Sequence, residues 1–232
     1  MRIVGSLAAV SAIALGLAAC GTSSNHLRAS ASSSVADATT ATGGSPAACR
    51  TVSAPAPRGE QRVRAPRHAL DPARRYVATL STNCGTIAIQ LDVRRAPKTS
   101  SSFAYLVRRG FYDDLTFHRV ATNFVIQGGD PDGDGSGGPG YTVVERPPAD
   151  LLYTRGTVAM AKTGSDPAGA SGSQFFIVTA RRTELPPQYA LLGRVVGSMA
   201  GVDAIARLQT IPPQDGAPVH PVVITHAAIS EG

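Results

Sequence analysis

The sequence predicts a mainly β fold with two helices, a closed antiparallel β-barrel whose ends the helices cap. Three observations carry this. The 232 residues include 24 Gly and 17 Pro, a high density of turn formers. Most apolar segments are short and alternate with a period of two. Two segments only carry the i, i+3, i+4 spacing of a buried helix face. With 43% hydrophobic residues there is apolar material for one sizeable core.

The elements follow in order. Tyr76–Thr82 alternates, Asn83-Cys84-Gly85 turns the chain, and Thr86–Leu91 alternates again, which reads as a hairpin. Ala96-Pro97 opens a helix with Pro in its first turn; Phe103, Leu106 and Val107 form its apolar stripe, and Gly110 stops it. Short strands follow near 117–120, 124–127, 157–161, 175–178 and 190–195. A second helix near 198–208 places Val202, Ile205 and Leu208 on one face, and Pro218–Ile229 reads as a closing strand.

The region before Tyr76 is of another kind. Met1-Arg2 precedes an apolar run, Ile3–Ala19, too short and too rich in small residues for a good membrane span. It ends in Leu17-Ala18-Ala19-Cys20-Gly21, which resembles the lipobox of bacterial lipoproteins. That resemblance implies a leader over 1–19, a diacylglycerol on Cys20, and anchoring to the cell membrane on its extracytoplasmic side. Residues 20–75 then read as a lipidated, disordered basic linker: 22–48 are Ser-, Ala-, Thr- and Gly-rich, and 50–75 mix Pro and Arg without a period. In an oxidising compartment Cys49 and Cys84 are the cysteines left over, either bridged or free. Residues 76–232 form the globular domain.

Charge narrows the function classes. The formal net charge is +6, but residues 76–232 hold 13 basic and 13 acidic residues. A neutral domain has no nucleic-acid footprint, and the positive charge falls on the N-terminal segment. Two formal motifs fail in context. Gly133-x-Gly135-x-x-Gly138 is followed by Pro139-Gly140 where a dinucleotide-binding helix must begin. Asp130-x-Asp132-x-Asp134-Gly135 opens like an EF-hand loop but has Tyr141 at its twelfth position. The five His show no metal-ligand spacing, so no metal or cofactor is expected.

The informative stretch is Phe117-His118-Arg119, followed by Phe124-Val125-Ile126-Gln127-Gly128-Gly129-Asp130. Downstream lie Gly137-Gly138-Pro139-Gly140-Tyr141, Met160-Ala161, Gly172-Ser173-Gln174-Phe175-Phe176-Ile177 and Leu192-Gly193-Arg194-Val195. In this order, from about Tyr76 to Ile229, they strongly resemble the cyclophilin-type peptidyl-prolyl cis–trans isomerases. The resemblance implies a closed eight-stranded antiparallel barrel and an enzyme that acts on proline-containing segments without a cofactor. With the lipobox-like N-terminus those segments are expected in exported proteins, and the chain is taken as a monomer. It makes Arg119 the catalytic donor and Gln127 the residue that orients it. Phe124, Val125, Phe176, Leu185 and Tyr189 would line the proline pocket. Gln174 would contact the substrate backbone, and Ala161 and Lys162 would belong to the adjoining groove.

These residue types suit the chemistry. Prolyl isomerisation needs an apolar seat for the ring and a donor to the twisted amide nitrogen, and a guanidinium stays protonated while presenting several N–H groups. The sequence departs from the family pattern at four positions. Val125 stands for the usual Met, Lys162 for Asn, Glu184 for Trp and Tyr189 for His. They bear on cyclosporin binding and substrate range more than on isomerase activity. Two other readings are a non-catalytic module that grips proline peptides in a chaperone-like way, and a structural envelope lipoprotein.

Overall fold

The computed structural model describes residues 49–232. The leader, Cys20 and the stretch 22–48 lie outside these residues. In chain order the elements are β1 Tyr76–Thr82, β2 Gly85–Leu91, α1 Pro97–Arg108, β3 Leu115–Thr116, β4 Arg119–Ala121, β5 Val125–Gly128 and β6 Val143–Val144. They continue with β7 Thr157–Met160, β8 Ala170–Ser171, β9 Phe175–Val178, β10 Leu191–Val196, α2 Ala200–Ala206, β11 Thr210–Ile211, β12 Asp215–Pro218 and β13 Val223–Glu231.

The hairpin forms as read: Thr82 pairs with Gly85, whose φ of 111° lies where a side chain would be strained. Helix α1 carries Pro97 in its first turn and buries Phe103, Leu106 and Val107. Helix α2 buries Val202 and Ile205.

Eleven strands share one antiparallel sheet in the order β11-β12-β4-β5-β9-β7-β10-β2-β1-β13-β3, and β6 pairs with β8 apart from it. A lone bridge between Thr116 and Asp130 ties the β3 edge to the chain just after β5, so the sheet curls back on itself. The class is the one the sequence predicts; the strand count is not eight. β3 and β4 are one run interrupted at Phe117-His118, and β11 and β12 extend the sheet beyond β4.

Period-two alternation divides the buried residues between two clusters. Val120, Ile126, Val158, Met160, Phe175 and Ile177 point into the main core with residues of α1 and α2. Ala121, Val125, Ala159, Phe176 and Val178, from the same four strands, belong to a second cluster on the opposite face.

Residues 49–75 contain no helix or strand, yet they are not a solvated tether, which corrects the reading of 50–75. A disulfide joins Cys49 to Cys84 in the β1–β2 turn. Arg50 N donates to Asn83 O at 2.9 Å, Arg58 N to Pro131 O at 3.0 Å, and Val63 N to Pro139 O at 2.9 Å. The Arg58 guanidinium donates to the Phe111 carbonyl at 2.9 Å and to that of Asp113. Leu70 is buried, and its N–H donates to Ser101 Oγ at 2.9 Å. The close approach at Gly140 requires glycine, since a Cβ there would lie 2.2 Å from Gln61 O. The segment is a strap laid on the domain. A few long-range contacts hold it, and such contacts leave no period in the sequence. The charge reading changes with it, because residues 49–232 carry 20 basic and 15 acidic residues and the folded body is cationic rather than neutral.

Candidate active site

The second cluster lies beneath the site. In the sheet Arg119 pairs with Gln127, Gln127 with Phe176, and Phe176 with Ala159. Cross-strand partners share a face, so these four side chains form one row over β4, β5, β9 and β7. The row runs from charged to apolar.

At its polar end Arg119 Nη1 donates to Gln127 Oε1 at 3.2 Å, and Gln127 Nε2 donates to Gln174 Oε1 at 3.1 Å. Gln174 Nε2 in turn donates to the carbonyls of Gly135 and Gly137, each at 2.9 Å. This chain of amides ties the arginine to the glycine-rich loop. On its other edge Arg119 makes a two-pronged ion pair: Nε to Asp215 Oδ1 at 2.6 Å and Nη2 to Asp215 Oδ2 at 2.7 Å. The hydrogen bonds and charge of Arg119 hold the Asp215 carboxyl below the usual range, so the pair is ionised at neutral pH.

At the apolar end Phe176 and Tyr189 meet edge to face at a centroid distance of 5.4 Å, and Tyr153 lies tilted to Phe176 at 6.2 Å and edge-on to Tyr189 at 6.1 Å. The Tyr153 hydroxyl donates to Tyr189 O at 2.7 Å and accepts from Tyr189 N at 3.0 Å, which fixes the wall. Burial pushes that hydroxyl up to about 12, so it stays protonated. Phe124, Ala161, Leu185 and Tyr189 are partly buried against this cluster, and Val125 lies within it. Phe124 is aimed by its own backbone, its carbonyl accepting from Thr179 N at 2.9 Å.

Beside the row is a cleft of about 390 Å³ lined by Gln127, Gln174, Ala161, Lys162 and the loop 135–142. Lys162 is tied into its own turn: Nζ donates to Thr163 O at 2.9 Å and Asp166 O at 3.0 Å and sits 5.7 Å from the Tyr189 ring centroid. Asp130, buried under the loop, accepts from Asp132 N at 2.9 Å and from Gly135 N, so the acidic stretch is a turn built on one carboxylate.

All ten residues named from the sequence thus meet on one face. Sequence reasoning missed Asp215 and Tyr153. Asp215 lies 96 residues from Arg119 in the chain and arrives only through the pairing of β12 with β4. Tyr153 sits outside every strand and helix, at the end of the short apolar run Leu151-Leu152-Tyr153, which carries no period that would mark it as part of a site. What results is an anchored, forked donor beside a partly exposed aromatic cluster.

The family model for cyclophilin type peptidyl-prolyl cis-trans isomerases matches residues 77–229. The chain is 37% identical over 172 residues to a Mycobacterium tuberculosis protein named "Probable peptidyl-prolyl cis-trans isomerase B", covering 67% of this chain and 54% of that one. It is 38% identical over 135 residues to the mouse peptidyl-prolyl cis-trans isomerase-like 1, covering 56% of this chain and 80% of that one. The chain therefore spans about half the length of the mycobacterial relatives it matches. Among solved structures, a cyclophilin type isomerase of Cryptosporidium parvum, crystallised in the presence of the dipeptide Ala-Pro, superposes with a TM-score of 0.61 at 27% identity. That match covers 66% of this chain and 98% of the other.

Proposed function

Because the chain belongs to the cyclophilin-type peptidyl-prolyl cis–trans isomerase family, we propose that its domain rotates X–Pro bonds in exported polypeptides at the outer face of a membrane. The observation that carries this is the placement of the forked Arg119 donor in one row with Phe176, beside Tyr189.

Resonance makes the C–N bond partly double and sets a barrier of ~18–20 kcal/mol. In the planar amide the nitrogen lone pair is delocalised and accepts hydrogen bonds poorly. As the bond twists the lone pair localises and becomes an acceptor. A donor aimed at that nitrogen therefore stabilises the twisted state more than the planar one, which is the condition for catalysis. Of the five N–H groups of a guanidinium, Asp215 and Gln127 engage three of Arg119's, leaving the others for substrate. The proline ring packs against Phe176, Phe124 and Leu185. No proton or electron changes hands, so the site needs orientation alone.

Location is supported from two sides. The lipobox-like Leu17-Ala18-Ala19-Cys20 marks an exported, anchored chain. The Cys49–Cys84 disulfide suits an oxidising compartment. Clients are then the proline-containing segments of proteins crossing that membrane.

The test is isomerisation of a prolyl tetrapeptide by the full chain in detergent. Arg119→Ala should lose roughly 10²–10³ in kcat/KM, the usual cost of one aimed donor, with an unchanged circular dichroism spectrum. A folded Arg119→Ala protein of wild-type activity would overturn the reading. Cys20→Ser should release the protein from the membrane fraction or block its processing, and undiminished retention would refute the anchor.

A further inference from the structure

The two-pronged ion pair on Arg119 is unexplained by packing, because both partners are open to solvent: the side chains are 35% and 54% exposed. We propose that Asp215 is the positioning residue of the site, a carboxylate that fixes the plane of Arg119 so that its free N–H groups face the proline nitrogen. This rests on Arg119 being the donor.

The backbone delivers Asp215 for this purpose. Strand β12 pairs with β4 with Asp215 opposite Ala121 and Gly216 opposite Val120, and Thr122 N donates to Gln214 O at 2.7 Å. Arg119 lies two residues from Ala121 on the same face, so it is a diagonal neighbour of Asp215, within reach of a long side chain. The turn that brings β12 back along β11 depends on Gly216, where a Cβ would lie 2.4 Å from Ile211 O and 2.6 Å from Pro212 N. Any side chain at 216 would push the strand, and Asp215 with it, off the β4 edge.

The geometry of the fork then acts on the donor. Arginine has four rotatable side-chain bonds, and catalytic groups must be held to within about 0.5 Å and 10–20°. Gln127 supplies a single 3.2 Å bond at Nη1 and leaves the guanidinium free to pivot about it. The bonds of 2.6 and 2.7 Å to both Asp215 oxygens add two further fixed points in the guanidinium plane. Three points define the plane and leave one orientation for the remaining N–H groups. The carboxylate also offsets the positive charge, so the site offers a directed donor rather than a bare cation.

Isomerisation of the prolyl tetrapeptide by the full chain tests this. Asp215→Ala should lower kcat roughly 10–100-fold, the scale of a misplaced catalytic group, with little change in KM and an unchanged melting midpoint. Asp215→Asn, which keeps one acceptor, should recover part of the loss. In an Arg119→Ala background Asp215→Ala should have no further effect, since it acts only through the arginine. A direct reading comes from the Arg119 Nε–H resonance, which should be sharp and slow to exchange in the parent and lost in Asp215→Ala. Wild-type or raised kcat in Asp215→Ala, an equal loss in both backgrounds, or an unchanged Nε–H signal would each overturn the proposal. If Arg119→Ala itself kept full activity, the reading of the site would fail first, which separates the two failures.

Discussion

The inner and outer faces of β4, β5, β9 and β7 are made by adjacent residues of the same strands, yet they are built to different rules. The inner face is apolar throughout. Phe175 sits among Phe103, Phe117 and Tyr112 at centroid distances of 5.7, 5.7 and 5.9 Å, mostly edge to face. There the requirement is volume. The outer face grades from the Arg119–Asp215 pair through two glutamines to Phe176 and Tyr189, and there the requirement is direction. The comparison teaches that one strand can serve stability and chemistry at once, because a pleat sends neighbours to opposite sides.

Neighbouring phenylalanines break or sharpen that contrast most strongly. Phe175→Ala should cost about 3–5 kcal/mol of folding free energy through the cavity it leaves, read as a shift in the urea midpoint. Any surviving folded protein should bind substrate normally. Phe176→Ala should be the mirror case. Its ring lies in the smaller second cluster, edged by partly buried Phe124, Leu185 and Tyr189, so its stability loss should be smaller than that of Phe175→Ala. Its KM for a prolyl peptide should rise roughly 10–100-fold, the worth of ~1.5–3 kcal/mol of apolar contact. Equal stability losses with unchanged KM would mean that the two faces do not divide the work.

The smallest effect is expected at His118, between inner Phe117 and outer Arg119. Its ring is largely buried, and neither ring nitrogen has a partner among the described residues. Burial, aided by the positive charge of Arg119, pulls it below the ordinary histidine value, although Asp130 and Asp134 oppose this. The folded state thus holds its proton less tightly than the unfolded chain does. Its contribution to stability is complete above the unfolded-state value near 6.5 and is lost as pH falls through the lower folded value. His118→Gln should flatten the pH dependence of the melting midpoint below neutrality; an unaltered slope would place the buried proton equilibrium elsewhere.

Local pattern made much of this readable. Alternation over 76–91 and 175–178 announces strands, and the Phe103, Leu106, Val107 spacing announces α1. The same alternation explains why Arg119, Gln127 and Phe176 share a face once their strands pair. The strap was misread because sequence periodicity reports regular elements, and residues 49–75 have none. Their order comes from Arg58, Val63 and Leu70 meeting groups 31–76 residues away. Asp215 escaped for a related reason: no local pattern links residues 96 apart.

The sequence by itself determined the longer strands, both helices, the family resemblance and the ten residues that meet at the site, but not the short strands β6, β8, β11 and β12, because period, turn chemistry and motif are properties of neighbours along the chain. Tertiary structure alone decided that the cationic segment lies on the domain and that Asp215 clasps Arg119. Register, the curl of the sheet and the β11–β12 turn set those contacts, and each arises from the packing of distant segments rather than from any one of them.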